Sequence, residues 1–188
     1  ASRLAPRSAG IGLVPTVTTT HTEPFHVSKA VATIDHVSSG RAGWQVGWST
    51  TPAEAAAFGR KGAQDEPDAV AEADEAVDVV TRLWDSWEDD AEIRDVATGR
   101  FVDREKLHHV DHEGIRFAVK GPSIPPRPPQ GQPPVVVRAS TPASLDLAAR
   151  RADVVRVRAA TRDEAVALRA QVRDAAAGAG RDPDGLRV

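Results

Sequence analysis

The sequence predicts an α/β fold built on a parallel sheet, and three observations carry that reading. Short β-rich runs alternate four times with segments of helical periodicity. The strand candidates are short and Val-rich, as expected where both sheet faces are covered. Apart from the long helix at Pro67, the helical segments open on a hydroxyl-plus-proline or hydroxyl-plus-glutamate signature.

The elements follow in order. IGLVPTVTTT (11–20) reads as a strand ending in hydroxyls. Thr22 is placed to cap the next helix and Pro24 suits its first turn. Val27, Ala30, Val31, Ile34 and Val37 then recur at helical spacing up to SSGR. AGWQVGW (42–48) is a second strand, with Trp44 and Trp48 on one face. Thr51 and Glu54 stand at capping-box spacing for a short helix. From Pro67 a long helix carries Val70, Ala73, Val77, Val80, Trp84 and Trp87 on its apolar side. Residues 89–134 break the rhythm. They read as a charged, then proline-rich excursion with a short hairpin near HHVDHEGIRFAV. VVVRA (135–139) is a third strand. A helix from Pro142 to Arg151 follows, with Leu145, Ala148 and Ala149 inward. ADVVRVRA (152–159) is a fourth strand. Thr161 and Glu164 open a last helix to about Ala177, and LRV begins a fifth strand.

A doubly wound sheet and a (β/α)8 barrel both fit this order. A barrel needs about 250 residues, so 188 residues supply about half of one. The chain begins at Ala1, contains no methionine, and stops at GLRV, so both ends are expected to cut through a larger fold. Such a partial sheet has open edges, and self-association is expected. The net charge of −3 gives no electrostatic reason to propose a nucleic-acid partner. No apolar run approaches a membrane span, and no leader is visible, so a cytoplasmic location is expected. Without cysteine, disulfides and thiolate chemistry are excluded. His108, His109, Asp111 and His112 read as a solvated hairpin rather than a metal cluster, since strand neighbours point to opposite faces.

Ligands of parallel α/β folds bind at the carboxyl ends of the strands. Those ends read TVTTTH, GWSTTPAE and RASTPAS. The last two echo each other: Ser-Thr, Pro, Ala, then helix. The first N–H groups of such a helix are unpaired and its dipole favours negative charge, so the hydroxyls serve either as caps or as an anion cradle.

GRAGWQVGWSTTPAEAAAFG, ATIDHVSSGRAGW, RLWDSWEDD and VKGPSIPPRPPQGQPPVVV resemble the flavin-dependent, bacterial-luciferase-like monooxygenases. The similar branch is that of nitrilotriacetate, dibenzothiophene-sulfone and long-chain alkane monooxygenases. The resemblance runs over nearly the whole chain. It implies a (β/α)8 barrel, of which residues 11–188 would cover strands three to six and the start of seven, with 89–134 as part of an insertion. It implies reduced FMN supplied by a separate NAD(P)H:flavin reductase, O2 as co-substrate, and a small organic substrate. Thr16 aligns with the family's FMN-contacting threonine, and Ser140 with Thr141 aligns with its phosphate-binding pair. Ser49 is a further flavin candidate. Thr50, at the position of the catalytic His or Tyr of some members, and His21 are the catalytic candidates. Departures are Gln45 for the usual Asn, Trp48-Ser49 for Thr-Ser, and Glu66 and Val70 for a His and a Tyr. The glycine before the phosphate pair is also missing. The phosphate end is expected to be preserved and the ring end altered. The competing expectation is a non-catalytic flavin-binding or structural homologue.

Overall fold

Four parallel strands lie side by side in the computed structural model, which describes residues 1–188. They are β1 (Thr16–Thr18), β2 (Trp44–Gly47), β7 (Val135–Arg138) and β8 (Val154–Arg156), in that spatial order. Arg187 adds a parallel bridge to Val154, so the expected fifth strand begins where LRV places it. The helices are α1 (Pro24–Ser38), α2 (Pro52–Phe58), α3 (Glu66–Trp84), α4 (Pro142–Arg151) and α5 (Arg162–Gly178). Two small antiparallel hairpins sit between α3 and β7. One pairs β3 (Glu92–Asp95) with β4 (Arg100–Val102), and the other pairs β5 (His112–Glu113) with β6 (Ala118–Val119). The second was expected; the first, turned by residues 96–99, was not.

The chain divides into two compact units. One comprises Val14–His21, Gly43–Asp74 and Pro134–Val188, and holds the sheet. Register puts Thr16, Gln45 and Val136 on one sheet face, with Thr18, Gly47, Arg138 and Arg156 further along it. Trp44, Val46, Val135, Val137 and Val155 take the other face and are buried. That face is the apolar one because α4 packs on β7 and α5 packs on α4. Leu147 and Ala148 of α4, and Val172 and Ala176 of α5, are buried in the same unit. The polar face is cross-linked. Gln45 donates its amide to Thr16 Oγ1 at 3.0 Å, and its carbonyl accepts from Arg156.

The other unit comprises Ala1–Leu13, Thr22–Ala42 and Glu75–Pro133. Its most buried charged group is Asp35, with no exposed surface. That carboxylate accepts from the Ala42 N–H at 3.1 Å, the Gln130 N–H at 3.0 Å and the Gln130 amide at 2.6 Å. Three donors are what a buried carboxylate requires. Trp84 donates to the Ser28 carbonyl and Trp87 to the Ser123 carbonyl, at 3.1 and 2.7 Å.

Local details depart from the sequence reading for identifiable reasons. Thr22 does not cap α1. Glu23 takes the N-cap without capping the helix through its side chain, and Pro24 removes one donor needing a partner. The buried stripe of α1 runs through Val27, Ser28, Val31, Ile34, Asp35 and Ser38, while Val37 is exposed. Its polar members hid it from a count of apolar residues. Helix α3 stops at Trp84, before Trp87, because the Leu83 carbonyl accepts from the Ser86 N–H and hydroxyl. On α4 the inward leucine is Leu147, and Leu145 is half-buried. Trp48 lies beyond the end of β2 and is partly exposed, whereas Trp44 is fully buried.

Candidate functional site

Two clusters form at the carboxyl ends of the strands, both within the sheet-bearing unit. The first lies beyond β1 and β2. Thr19 continues β1 by donating its N–H to the Gly47 carbonyl at 2.9 Å. Thr20 Oγ1 accepts the Ser49 N–H at 2.9 Å, which ties the two strand ends together. His21 comes next and is 8% exposed. Its ring stacks on Phe58 at the end of α2, with centroids 4.5 Å apart and planes 13° from parallel. Both His21 ring nitrogens are buried without a hydrogen-bond partner. Such an orphaned polar group costs about 1–3 kcal/mol and calls for a functional explanation.

Glu54 completes this cluster. Its carboxylate accepts from Ser49 Oγ at 2.6 Å and from Thr51 Oγ1 at 2.7 Å, while its own N–H donates to Thr51 Oγ1 at 3.3 Å. The Ser49 bond and then the Thr51 bond hold the Glu54 carboxyl below the usual range against desolvation, with a smaller lowering from the charge of His21. Capping-box spacing exposed Glu54 as a helix-start residue, but its bond to Ser49 depends on where β2 ends. Thr50 is exposed between these groups. Thr16 is the first residue of β1, so it lies on the polar sheet face and not at the strand's carboxyl end.

The second cluster is the turn between β7 and α4. Thr141 is the N-cap and Pro142 the first helical residue. Ser144 Oγ accepts from the N–H groups of both Ser140 and Thr141 at 2.9 Å, and the Ser144 N–H donates to Thr141 Oγ1 at 3.3 Å. This is a reciprocal capping box. The Thr141 hydroxyl also donates to Glu66 Oε1 at 3.1 Å. Glu66 opens α3, where Asp65 caps the helix by accepting the Asp68 N–H. The turn lines a pocket of about 420 Å³ together with Arg138, Leu145, Arg158 and Leu168. Sequence reasoning noted Glu66 only as a departure; its meeting with Thr141, 75 positions away, is tertiary.

Comparison with known proteins gives this geometry a context. A family model described as luciferase-like monooxygenase matches residues 1–188. The chain belongs to the luciferase-like monooxygenase family. Nitrilotriacetate monooxygenase component A of Aminobacter aminovorans is 48% identical over 145 residues, 77% of this chain and 32% of that protein. The crystal structure of long-chain alkane monooxygenase superposes with a TM-score of 0.93 at 29% identity, over 98% of this chain and 43% of the other. A riboflavin lyase crystallised with modified FMN and riboflavin gives 0.90 at 30% identity, over 98% and 41%. The chain therefore spans about a third to two-fifths of the length of the curated relatives it matches. Its parallel strands and helices are a stretch of the (β/α)8 barrel of luciferase-like monooxygenases, as the sequence predicted.

Membership in this family raises the question of a flavin phosphate at the Ser140–Thr141 turn. In the conformation described, the turn does not fit one. Its two leading N–H groups are committed to Ser144, and its threonine hydroxyl to a carboxylate. A phosphate would meet the Glu66 charge at the place where the helix field would otherwise attract it.

Proposed function

We propose that this chain belongs to a flavin-dependent monooxygenase that uses O2 to oxidise a small organic substrate. The observation that carries the reading is His21, a nine-tenths-buried ring with two unpaired nitrogens at a strand end. In barrel enzymes the chemistry sits at that end of the strands. A flavin would supply the oxygen chemistry, and the protein's part is to orient the reactants and exclude water. His21 is the group able to exchange a proton at its ring nitrogens. Phe58 fixes the plane of the ring, and the Ser49–Glu54 pair places a carboxylate beside it. Thr50 is an exposed hydroxyl for contact with substrate; it is a poor base and serves to orient. FMN is the flavin proposed, delivered reduced by a separate NAD(P)H:flavin reductase. Relatives that act on nitrilotriacetate and on dibenzothiophene sulfone support a small organic substrate.

The second reading is a non-catalytic flavin-binding or structural homologue. It is favoured by the Glu66–Thr141 contact, which sets a negative charge on the expected phosphate turn. One titration of the intact protein separates the two readings. Oxidised and reduced FMN are added while tryptophan fluorescence is followed. Tight binding of the reduced form, with substrate-dependent oxygen consumption, supports the monooxygenase. Binding without oxygen consumption supports the homologue, and no binding of either form overturns FMN as the flavin.

A further inference from the structure

Two turns of this chain share one local design and differ in the source of their carboxylate. After β2, Thr51 caps α2, and the carboxylate on its hydroxyl is Glu54, three residues into the same helix. After β7, the equivalent third position is Ser144, a neutral hydroxyl that already closes the capping box. The carboxylate on Thr141 is Glu66, from the first turn of α3. Helix α4 therefore has its cap without Glu66. What Glu66 adds is a negative charge at the mouth of the turn.

We propose that Glu66 is a specificity residue. Its carboxylate, bonded to Thr141, holds the Ser140–Thr141 turn against a phosphate and so lowers affinity for a phosphorylated flavin relative to an unphosphorylated one. The inference rests on the flavin reading above. Arg138 and Arg158 line the same pocket and attract anions to it. The acid lining it, Glu164, accepts the Ala160 N–H on its carboxylate at 2.6 Å, whereas Glu66 reaches the turn only through the Thr141 hydroxyl. The charge balance at the turn is thus set by whether Glu66 stays on Thr141. A phosphate enters only when that carboxylate leaves. Riboflavin, with no phosphate, is indifferent to it.

The test is a set of binding titrations on the intact protein and its Glu66→Gln variant, with FMN and riboflavin as probes. The neutral amide has nearly the size of the carboxylate and retains an oxygen to accept the Thr141 hydroxyl, so the fold is kept; superimposable circular dichroism spectra check this. The expected result is tightening for FMN by about tenfold, the effect of removing one charge beside a partly exposed anion, with riboflavin affinity changed less than about twofold. Equal changes for the two flavins, or none, while riboflavin still binds, overturn the specificity role and leave the flavin reading intact. Failure of both proteins to bind either flavin overturns the flavin reading, and the specificity role falls with it.

Discussion

At His21 a titratable ring is held by shape rather than by hydrogen bonds. Phe58 covers it, and nothing in the fold satisfies its nitrogens. Replacing His21 with Leu removes a buried unsatisfied group, so stability is expected to hold or to rise by about 1 kcal/mol. Oxygen consumption with substrate is expected to fall by about 100-fold or more, the usual contribution of a positioned acid or base. Denaturant melts and oxygen-electrode rates on the same preparations check the pair; a variant that loses stability and keeps its rate would make His21 a core residue. His21 and Ser49 were legible in the sequence because strand-end hydroxyls and an adjacent histidine stand out in the text. Glu66 was legible only as an odd residue. Its partner lies 75 positions away, and neither spacing nor periodicity reports on such a pair. Gln45 is similar: its links to Thr16 and Arg156 exist only once β1, β2 and β8 are set in one sheet.

Elements with strong local signals came through the sequence well. Helix α4 runs from Pro142 to Arg151 as predicted, because proline fixes its start and Thr141 caps it. Thr161 and Glu164 likewise mark the start of α5. Which leucine faces inward was misjudged. Both Leu145 and Leu147 suit a helix stripe, and the choice belongs to β7 and α5, which α4 packs against. Leu147 is completely buried, so Leu147→Ala is expected to cost about 2–5 kcal/mol, while Leu145→Ala costs less because its side chain is half exposed. Urea midpoints of the two variants give the comparison, and equal losses would contradict the assignment of the inner face. The β3–β4 hairpin escaped notice because its strands carry charges and little apolar alternation.

For the molecule as a whole, the clearest coupling to pH runs through Glu75. Burial works to raise its carboxyl, but His112 at 3.1 Å and the N–H groups of Phe117 and Arg116 prevail and hold it below the usual range. A carboxylate lowered in the folded state stabilises that state above its unfolded pKa and loses the contribution as pH falls through the folded value. Glu75→Gln is therefore expected to be the less stable protein at pH 7, with the gap closing between about pH 5 and 3. Urea midpoints across that range test it, and a gap independent of pH would remove Glu75 as the cause. The fold class itself was readable at this scale because alternation of strand and helix survives errors in any single boundary. The long reach of Asp35 has a consequence for synthesis. Its partner Gln130 follows it by 95 residues, and β7 follows its neighbour β2 at a similar remove. At ribosomal speeds of about 5–20 residues per second, Asp35 stays in water without Gln130 and β2 without β7 for roughly 5–20 s. This half of the barrel is completed only after that wait, and until then its apolar surface and open strand edge are exposed to aggregation.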